Sequence, residues 1–297
     1  MRKPAPLAPG DTIAVIAPGA AVDPVALDAG VVHLENLGLR VVRGRHLLER
    51  RGYLAGSEAQ RLADLVEAFR DPQIKGIFAA RAGYGCGRLL PLLDPEIFRT
   101  CPKVFVGHSD LTFLLSYLID TAGLVTFHGP MVAGLSARAA KSVVAMVTGA
   151  REPWQQVAAE VVRPGTGEGL LVGGCLSIVT ALLGTPWAVP TKGRILFLED
   201  INEKPYRIDR MLTQLRQSGA FEGIAGVAFG EMVGCTAGEG EAVGVRDVIR
   251  DAFYRAPFPV AFGLPSGHGA GTTTLPIGVR ARLAGERLTL LEAPLSD

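Results

Sequence analysis

The sequence predicts an α/β protein: an N-terminal, mostly parallel sheet with helices on both faces, joined to a smaller C-terminal α/β domain. Three observations carry this prediction. Short apolar runs alternate with helix-length segments through the first half of the chain. Repeated β-α-β units of that kind require a parallel sheet covered on both sides. A Gly/Pro-rich stretch at 136–168 then interrupts the alternation and reads as a linker, separating domains at 1–135 and 169–297. With 297 residues, 48% of them hydrophobic, the chain can fill one or two cores and is not disordered.

The elements follow in order. Thr12–Ala17 is a short apolar run closed by Pro18-Gly19, the signature of a buried strand. Val25–Leu37 reads as a helix stopped by Gly38, and Leu39–Val42 as the next strand. Ser57 with Gln60 three residues on forms a capping box, opening a helix that runs to Phe69. Strands are expected at Ile74–Ala80, Lys103–Gly107 and Leu124–Phe127, with a helix over Asp110–Ile119. A short helix, Ala139–Val147, precedes the glycines and prolines of Gly149–Pro153 and Arg163–Gly169. Beyond them come helix Ser177–Leu183, strand Arg194–Leu198, helix Arg207–Gln217, strand Gly226–Gly230, helix Val245–Phe253 and strand Val260–Gly263. Val279–Leu283 and Arg287–Glu292 alternate across Gly285-Glu286 and predict a hairpin.

Composition excludes several function classes. Thirty Lys+Arg against 29 Asp+Glu leave a net charge of +1, too little for a field that would recruit nucleic acid or an anionic membrane. No apolar run approaches the ~18 residues of a membrane span. The opening Met1-Arg2-Lys3-Pro4 is not followed by a signal-peptide apolar core. Cysteines 86, 101, 175 and 235 form no C-x-x-C clip, and the five histidines show no ligand spacing. The expectation is a cytoplasmic protein with reduced thiols, needing neither metal nor cofactor.

The sharpest local feature is Lys103–Gly107 running through His108 into Ser109-Asp110-Leu111-Thr112. A serine on a tight strand-to-helix turn presents its hydroxyl above the sheet, beside the free N–H groups of a helix start. That setting suits an alkoxide nucleophile and a tetrahedral oxyanion. It equally suits a serine that only caps the helix. A nucleophile needs a base and the base a carboxylate. His33 and His46 read as solvated surface residues, and His108 adjoins the serine and should point away from it. His128 ends a strand and could line a cleft. His268 lies in Gly263–Gly271, a glycine-rich loop where core packing explains a histidine poorly. For the carboxylate, the apolar strand ending in Glu199-Asp200 offers two neighbours. The loop Arg81–Arg88 lacks phosphate-loop spacing, and its alternative use is a backbone N–H aimed at an oxyanion. Cys86 in that loop is a weaker candidate nucleophile.

Together, Arg81–Gly85, Gly107–Asp110, Gly173–Ser177, Leu183–Pro186, Leu198–Asp200 with Pro205–Leu212, and Gly267–Gly269 with Thr274–Gly278 resemble the LD-carboxypeptidase family, in the family's order and over nearly the whole chain. That family includes muramoyl-tetrapeptide carboxypeptidases and microcin-immunity hydrolases. The resemblance implies a class I glutamine amidotransferase-like N-terminal domain and a Ser–Glu–His triad. Carried over, the nucleophile is Ser109, the carboxylate Glu199 and the base His268, with the backbone N–H groups of Gly83 and Asp110 as oxyanion hole. It also implies a homodimer, and a muropeptide substrate cleaved between an L-centre and terminal D-Ala. Arg81 is then the candidate cation for the substrate carboxylate, unless it braces its own loop, and His128 a candidate substrate contact. Three positions depart from the family pattern: Ala82, Cys175 where Asn is expected, and Thr272-Thr273. The same triad would serve immunity-type hydrolysis of a peptide–nucleotide conjugate. A non-catalytic ligand-binding protein is the remaining reading.

Overall fold

In the computed structural model, which describes residues 1–149, 154–238 and 242–297, the chain forms β1 (Thr12–Ile16), α1 (Pro24–Glu35), β2 (Arg40–Arg43), α2 (Glu58–Arg70), β3 (Ile74–Ala79), α3 (Pro95–Thr100), β4 (Val104–Gly107), α4 (Thr112–Asp120), β5 (Thr126–His128) and α5 (Ala137–Val147). Next come β6 (Gln155–Val157), β7 (Glu160–Arg163), β8 (Thr166–Cys175), α6 (Leu176–Ala181), β9 (Arg194–Ile201), α7 (Pro205–Gln217), β10 (Gly226–Val233), α8 (Val245–Phe253) and β11 (Val260–Phe262). β12 (Leu275–Ile277), β13 (Arg280–Ala284) and β14 (Arg287–Leu290) complete the chain. Among the described residues, no helix is long and apolar enough to cross a membrane.

The chain divides into two compact units, Met1–Glu152 with Ala270–Gly278 and Pro294–Asp297, and Pro153–Gly269 with Val279–Ala293. The first unit holds a six-stranded sheet in the order β12-β5-β4-β3-β1-β2. Strands β1 to β5 are parallel, and β12 joins β5 antiparallel. The order reverses between β1 and β3, so right-handed crossovers send α1 to one face and α2 to the other. Accordingly α1 packs on α5, and α2 on α3. The capping box of α2 is formed, with Ser57 N–H donating to Gln60 Oε1 at 2.9 Å and Gln60 N–H to Ser57 Oγ at 3.3 Å. Phe69 of α2 meets Phe98 edge-on at 4.8 Å between ring centres and stacks near Phe105 of β4 at 6.0 Å, filling the core beneath that face. In an open sheet of this order, ligand sites gather beyond the carboxyl ends of the strands. Gly19, the 81–88 loop and Ser109 follow β1, β3 and β4 at that end.

The second unit holds an eight-stranded sheet, β6-β14-β13-β8-β9-β10-β11-β7. β8 to β11 are parallel, and the flanking strands are antiparallel. The expected hairpin is β13–β14.

Several expectations are corrected. The 136–168 stretch is not a bare linker: its described residues carry α5, β6, β7 and the start of β8. Residues 150–153 of the expected Gly149–Pro153 cluster lie outside the described residues. Two glycines of Arg163–Gly169, Gly167 and Gly169, serve close approach of another backbone. A Cβ at Gly167 would fall 1.9 Å from Ala225 O, and one at Gly169 2.4 Å from Gly193 O. The 169–297 segment is not one body, because β12 returns to the first sheet. The expected helix from Asp110 starts as a 3₁₀ turn, Ser109–Leu111, before α4.

Candidate active site

The turn that carries Ser109 begins at the fully buried β4. A Cβ at Gly107 would approach Leu111 Cγ to 2.8 Å and Ala79 Cβ to 3.2 Å, so only glycine lets the chain turn back this tightly. Ser109 then adopts φ +61°, one of two described non-glycine residues with positive φ. A left-handed conformation costs a serine on the order of 1 kcal/mol and persists only where the surroundings impose it. The serine hydroxyl caps neither the 3₁₀ turn nor α4. Of the two readings the sequence allowed, the cap therefore lacks its hydrogen bond. His108 points away, its Nδ1 2.9 Å from Gly129 O.

Next to this turn, the 81–88 loop is held by two buried charges. The Asp110 carboxylate accepts the Cys86 N–H at 2.8 Å and also bonds the Gly85 N–H. Burial pushes the Asp110 carboxyl above its ordinary range, although these hydrogen bonds pull the other way. Arg61, 1% exposed, donates from Nη1 to Pro18 O at 2.6 Å and Gly85 O at 2.8 Å, tying the loops after β1 and β3 together. Sequence reasoning missed Arg61. Its signal was a charge in the stripe of α2 shared with Asp64, Leu65 and Ala68, the buried face. Gly83 has φ +114°, and a Cβ there would meet Ala20 Cβ at 2.8 Å. The backbone at 83 is thereby kept bare and close to the loop after β1.

Cys86 is fully buried, and burial, followed by the Asp110 charge, pushes its thiol well up. A protonated buried thiol is a poor nucleophile. Cys175 is raised likewise by burial and by Glu199 and Asp200. Arg81 donates from Nη1 to Ala21 O at 2.8 Å, bracing the loop after β1. His128 is 1% exposed within the first sheet, its ring 5.7 Å from that of His108. His46 differs from the solvated residue expected: it is half-buried, with Nδ1 2.8 Å from Asp64 Oδ1.

In the second unit, β9 delivers its two acids to different tasks, because successive strand side chains point to opposite faces. Glu199 is fully buried and its Oε2 lies 2.6 Å from His268 Nδ1. Asp200 instead accepts the Ser177 N–H in the first turn of α6 at 2.8 Å and its neighbour Ile201 N–H at 2.8 Å. Of the two acids at this strand end, Glu199 is the one in contact with His268, and Asp200 is bonded to backbone N–H groups. The Glu199 contact engages Nδ1 of the His268 ring and leaves Nε2 as the nitrogen outside it. The His268 side chain is 9% exposed. Among the described residues, no group of three His, Cys, Asp or Glu side chains is arranged to hold a metal ion.

The first unit thus carries a left-handed serine at a strand end and the second a carboxylate-bound imidazole, and comparison with known proteins gives the class. The LD-carboxypeptidase N-terminal domain matches residues 13–129 and the LD-carboxypeptidase C-terminal domain residues 168–283. The chain belongs to the LD-carboxypeptidase family and is a peptidase. It is 40% identical to the "probable murein peptide carboxypeptidase" of Bacillus subtilis (strain 168), over 99% of this chain and 96% of that protein. The crystal structure of muramoyltetrapeptide carboxypeptidase from Oxalobacter formigenes superposes with a TM-score of 0.85 at 31% identity, covering 95% and 99% of the two chains. The microcin C7 self-immunity protein MccF of Escherichia coli is 27% identical, over 93% and 91%.

Proposed function

We propose that this chain is a serine carboxypeptidase that releases terminal D-Ala from a muropeptide tetrapeptide in the cytoplasm, as a step in cell-wall recycling, and that it works as a homodimer. The observation that carries the reading is the buried Glu199–His268 pair at 2.6 Å, which is the orienting half of a triad. A fully buried carboxylate held by a histidine on a glycine-rich loop has little structural use that an apolar residue would not serve better.

In this reading Ser109 Oγ attacks the carbonyl carbon of the L-centre residue while His268 Nε2 takes its proton. The carbonyl oxygen becomes an oxyanion, received by the N–H groups of Gly83 and Asp110. His268 then gives the proton to the leaving amine of D-Ala as the C–N bond breaks. Water, deprotonated by the same imidazole, hydrolyses the acyl-serine and regenerates the enzyme. Glu199 keeps the imidazole oriented and stabilises it when charged. Arg81, turned from Ala21 O, is the proposed partner for the terminal carboxylate, and His128, buried in the first sheet, would reach substrate only on rearrangement.

The similarity to MccF favours one second reading, hydrolysis of a peptide–nucleotide conjugate by the same residues. The test is incubation of the purified protein with muropeptide tetrapeptide, and separately with an aminoacyl sulfamoyl adenosine, followed by mass analysis. Loss of one alanine from the tetrapeptide supports the proposal. Cleavage of the nucleotide conjugate alone transfers the assignment to the second reading. Turnover of neither, by a folded protein, would leave only ligand binding.

A further inference from the structure

Glu231 ends the apolar run of β10 just as Glu199 ends that of β9, and no role in the reaction has been given to it so far. The pairing of β10 with β9 runs Phe229 to Leu198 and resumes at Met232 with Asp200, so Gly230 and Glu231 stand opposite Glu199 alone. Such a bulge re-aims the side chains it contains. Here it frees the Glu231 backbone from the ladder, and its N–H donates to Ser266 O at 2.9 Å. The Glu231 side chain reaches past the histidine, where Oε2 accepts the Gly269 N–H at 2.8 Å. One residue thus holds the chain two positions before His268 and one position after it.

The glycines flanking His268 have their explanation in the same contact. A Cβ at Gly267 would lie 2.9 Å from Glu231 Cβ and 3.1 Å from Glu199 Oε2. A Cβ at Gly269 would lie 2.2 Å from Glu231 Oε1. The loop is therefore bare because it is pressed onto this carboxylate. Ser266, the near anchor, is fully buried and its Oγ receives Gln156 Nε2 at 2.7 Å. The far anchor, Gly269, is fixed by the Glu231 side chain.

We propose that Glu231 is a positioning residue: it clamps the His268 loop so that the imidazole meets Glu199 in a single orientation. The proposal rests on His268 being the base. A glycine-rich loop released at one end samples many conformations, and displacement of a catalytic group by about 1 Å costs on the order of 10²-fold in rate.

The test compares Glu231→Gln, Glu231→Ala and Gly269→Ala. The glutamine keeps an oxygen for the Gly269 N–H, alanine removes the acceptor, and the Gly269 variant puts a Cβ 2.2 Å from Glu231 Oε1, so that the intact carboxylate and the loop cannot keep their contact. Two readouts are taken. One is the low-field proton NMR signal of His268 Nδ1–H, which reports the bond to Glu199 without substrate or Ser109. The other is kcat and KM for release of D-Ala. The expected result is a retained proton signal and kcat within about threefold for Glu231→Gln, against a lost or shifted signal and a ~10–100-fold fall in kcat with little change in KM for the other two. An unchanged signal in folded Glu231→Ala overturns the proposal, as does a kcat loss that only follows the fraction unfolded. If Glu231→Ala does not fold, Gly269→Ala decides by the same two criteria. Absence of any D-Ala release by the wild type would count against the proposed function, while the proton signal would still test the clamp.

Discussion

Replacing Glu199 by glutamine is the perturbation that most directly probes the assigned roles. Glutamine has the same shape, and Glu199 is fully buried with its Oε2 2.6 Å from His268 Nδ1. The substitution removes the charge without opening a cavity. In the proposed mechanism His268 takes the serine proton, and the imidazolium and carboxylate charge centres are then separated by roughly 4 Å. At an effective dielectric constant of ~20 their attraction is about 4 kcal/mol, which is about 10³-fold in rate. The amide adds a second fault. Its NH₂ donates to Nδ1, which places the ring proton on Nε2, where the base is needed. The corresponding carboxylate-to-amide change in a serine protease triad lowers kcat ~10⁴-fold. A fall in kcat of ~10³–10⁴ is therefore expected, with KM within a few-fold and an unchanged circular dichroism spectrum. The assay is D-Ala release from tetrapeptide, measured by mass or by a coupled D-amino-acid oxidase reaction. If folded Glu199→Gln retained a tenth of wild-type kcat, the assignment of Glu199 as the orienting carboxylate would be wrong.

Three further outcomes are expected. Ser109→Ala should lose on the order of 10⁶ in turnover, and Ser109→Gly should be equally inactive but about 1 kcal/mol more stable than the alanine variant in urea melts, since φ +61° strains alanine and not glycine; equal stabilities would refute the strain argument. Asp200→Ala should destabilise the fold by about 1–3 kcal/mol, because two backbone N–H groups lose their acceptor, while keeping kcat within tenfold per folded molecule; abolished turnover in a folded variant would exchange its role with that of Glu199. Exhaustive chelation should leave turnover unchanged, because the histidines at 33, 46, 108, 128 and 268 are scattered without ligand spacing; inactivation rescued by zinc would place the reaction in another class.

What the amino-acid sequence determined by itself is local. The Ser57–Gln60 capping box, the apolar run of β4, and the turn at Gly107–Ser109 are set by residues within a few positions of one another. Hydrogen-bond and steric rules read directly onto such neighbours. Ser109, His268 and the Glu199-Asp200 pair could be picked out as candidates for the same reason, each standing near a strand end or in a glycine-rich loop. Tertiary structure decided the rest. Apart from the family resemblance, nothing in the sequence tells which face of β9 meets a histidine 69 residues further on, and so whether Glu199 or Asp200 pairs with it. Gly167 and Gly169 read as part of a linker because nothing local reveals that another backbone passes 1.9 and 2.4 Å from where their Cβ atoms would stand. β12 was unrecognisable as part of the first sheet, since three residues carry too little pattern and their partner β5 lies more than a hundred residues earlier. Arg61 and Glu231 share this origin: each is a charge whose use depends on loops brought to it by distant strands. Pairing over such separations is decided by burial and register across the whole sheet, and no window of the chain contains that information.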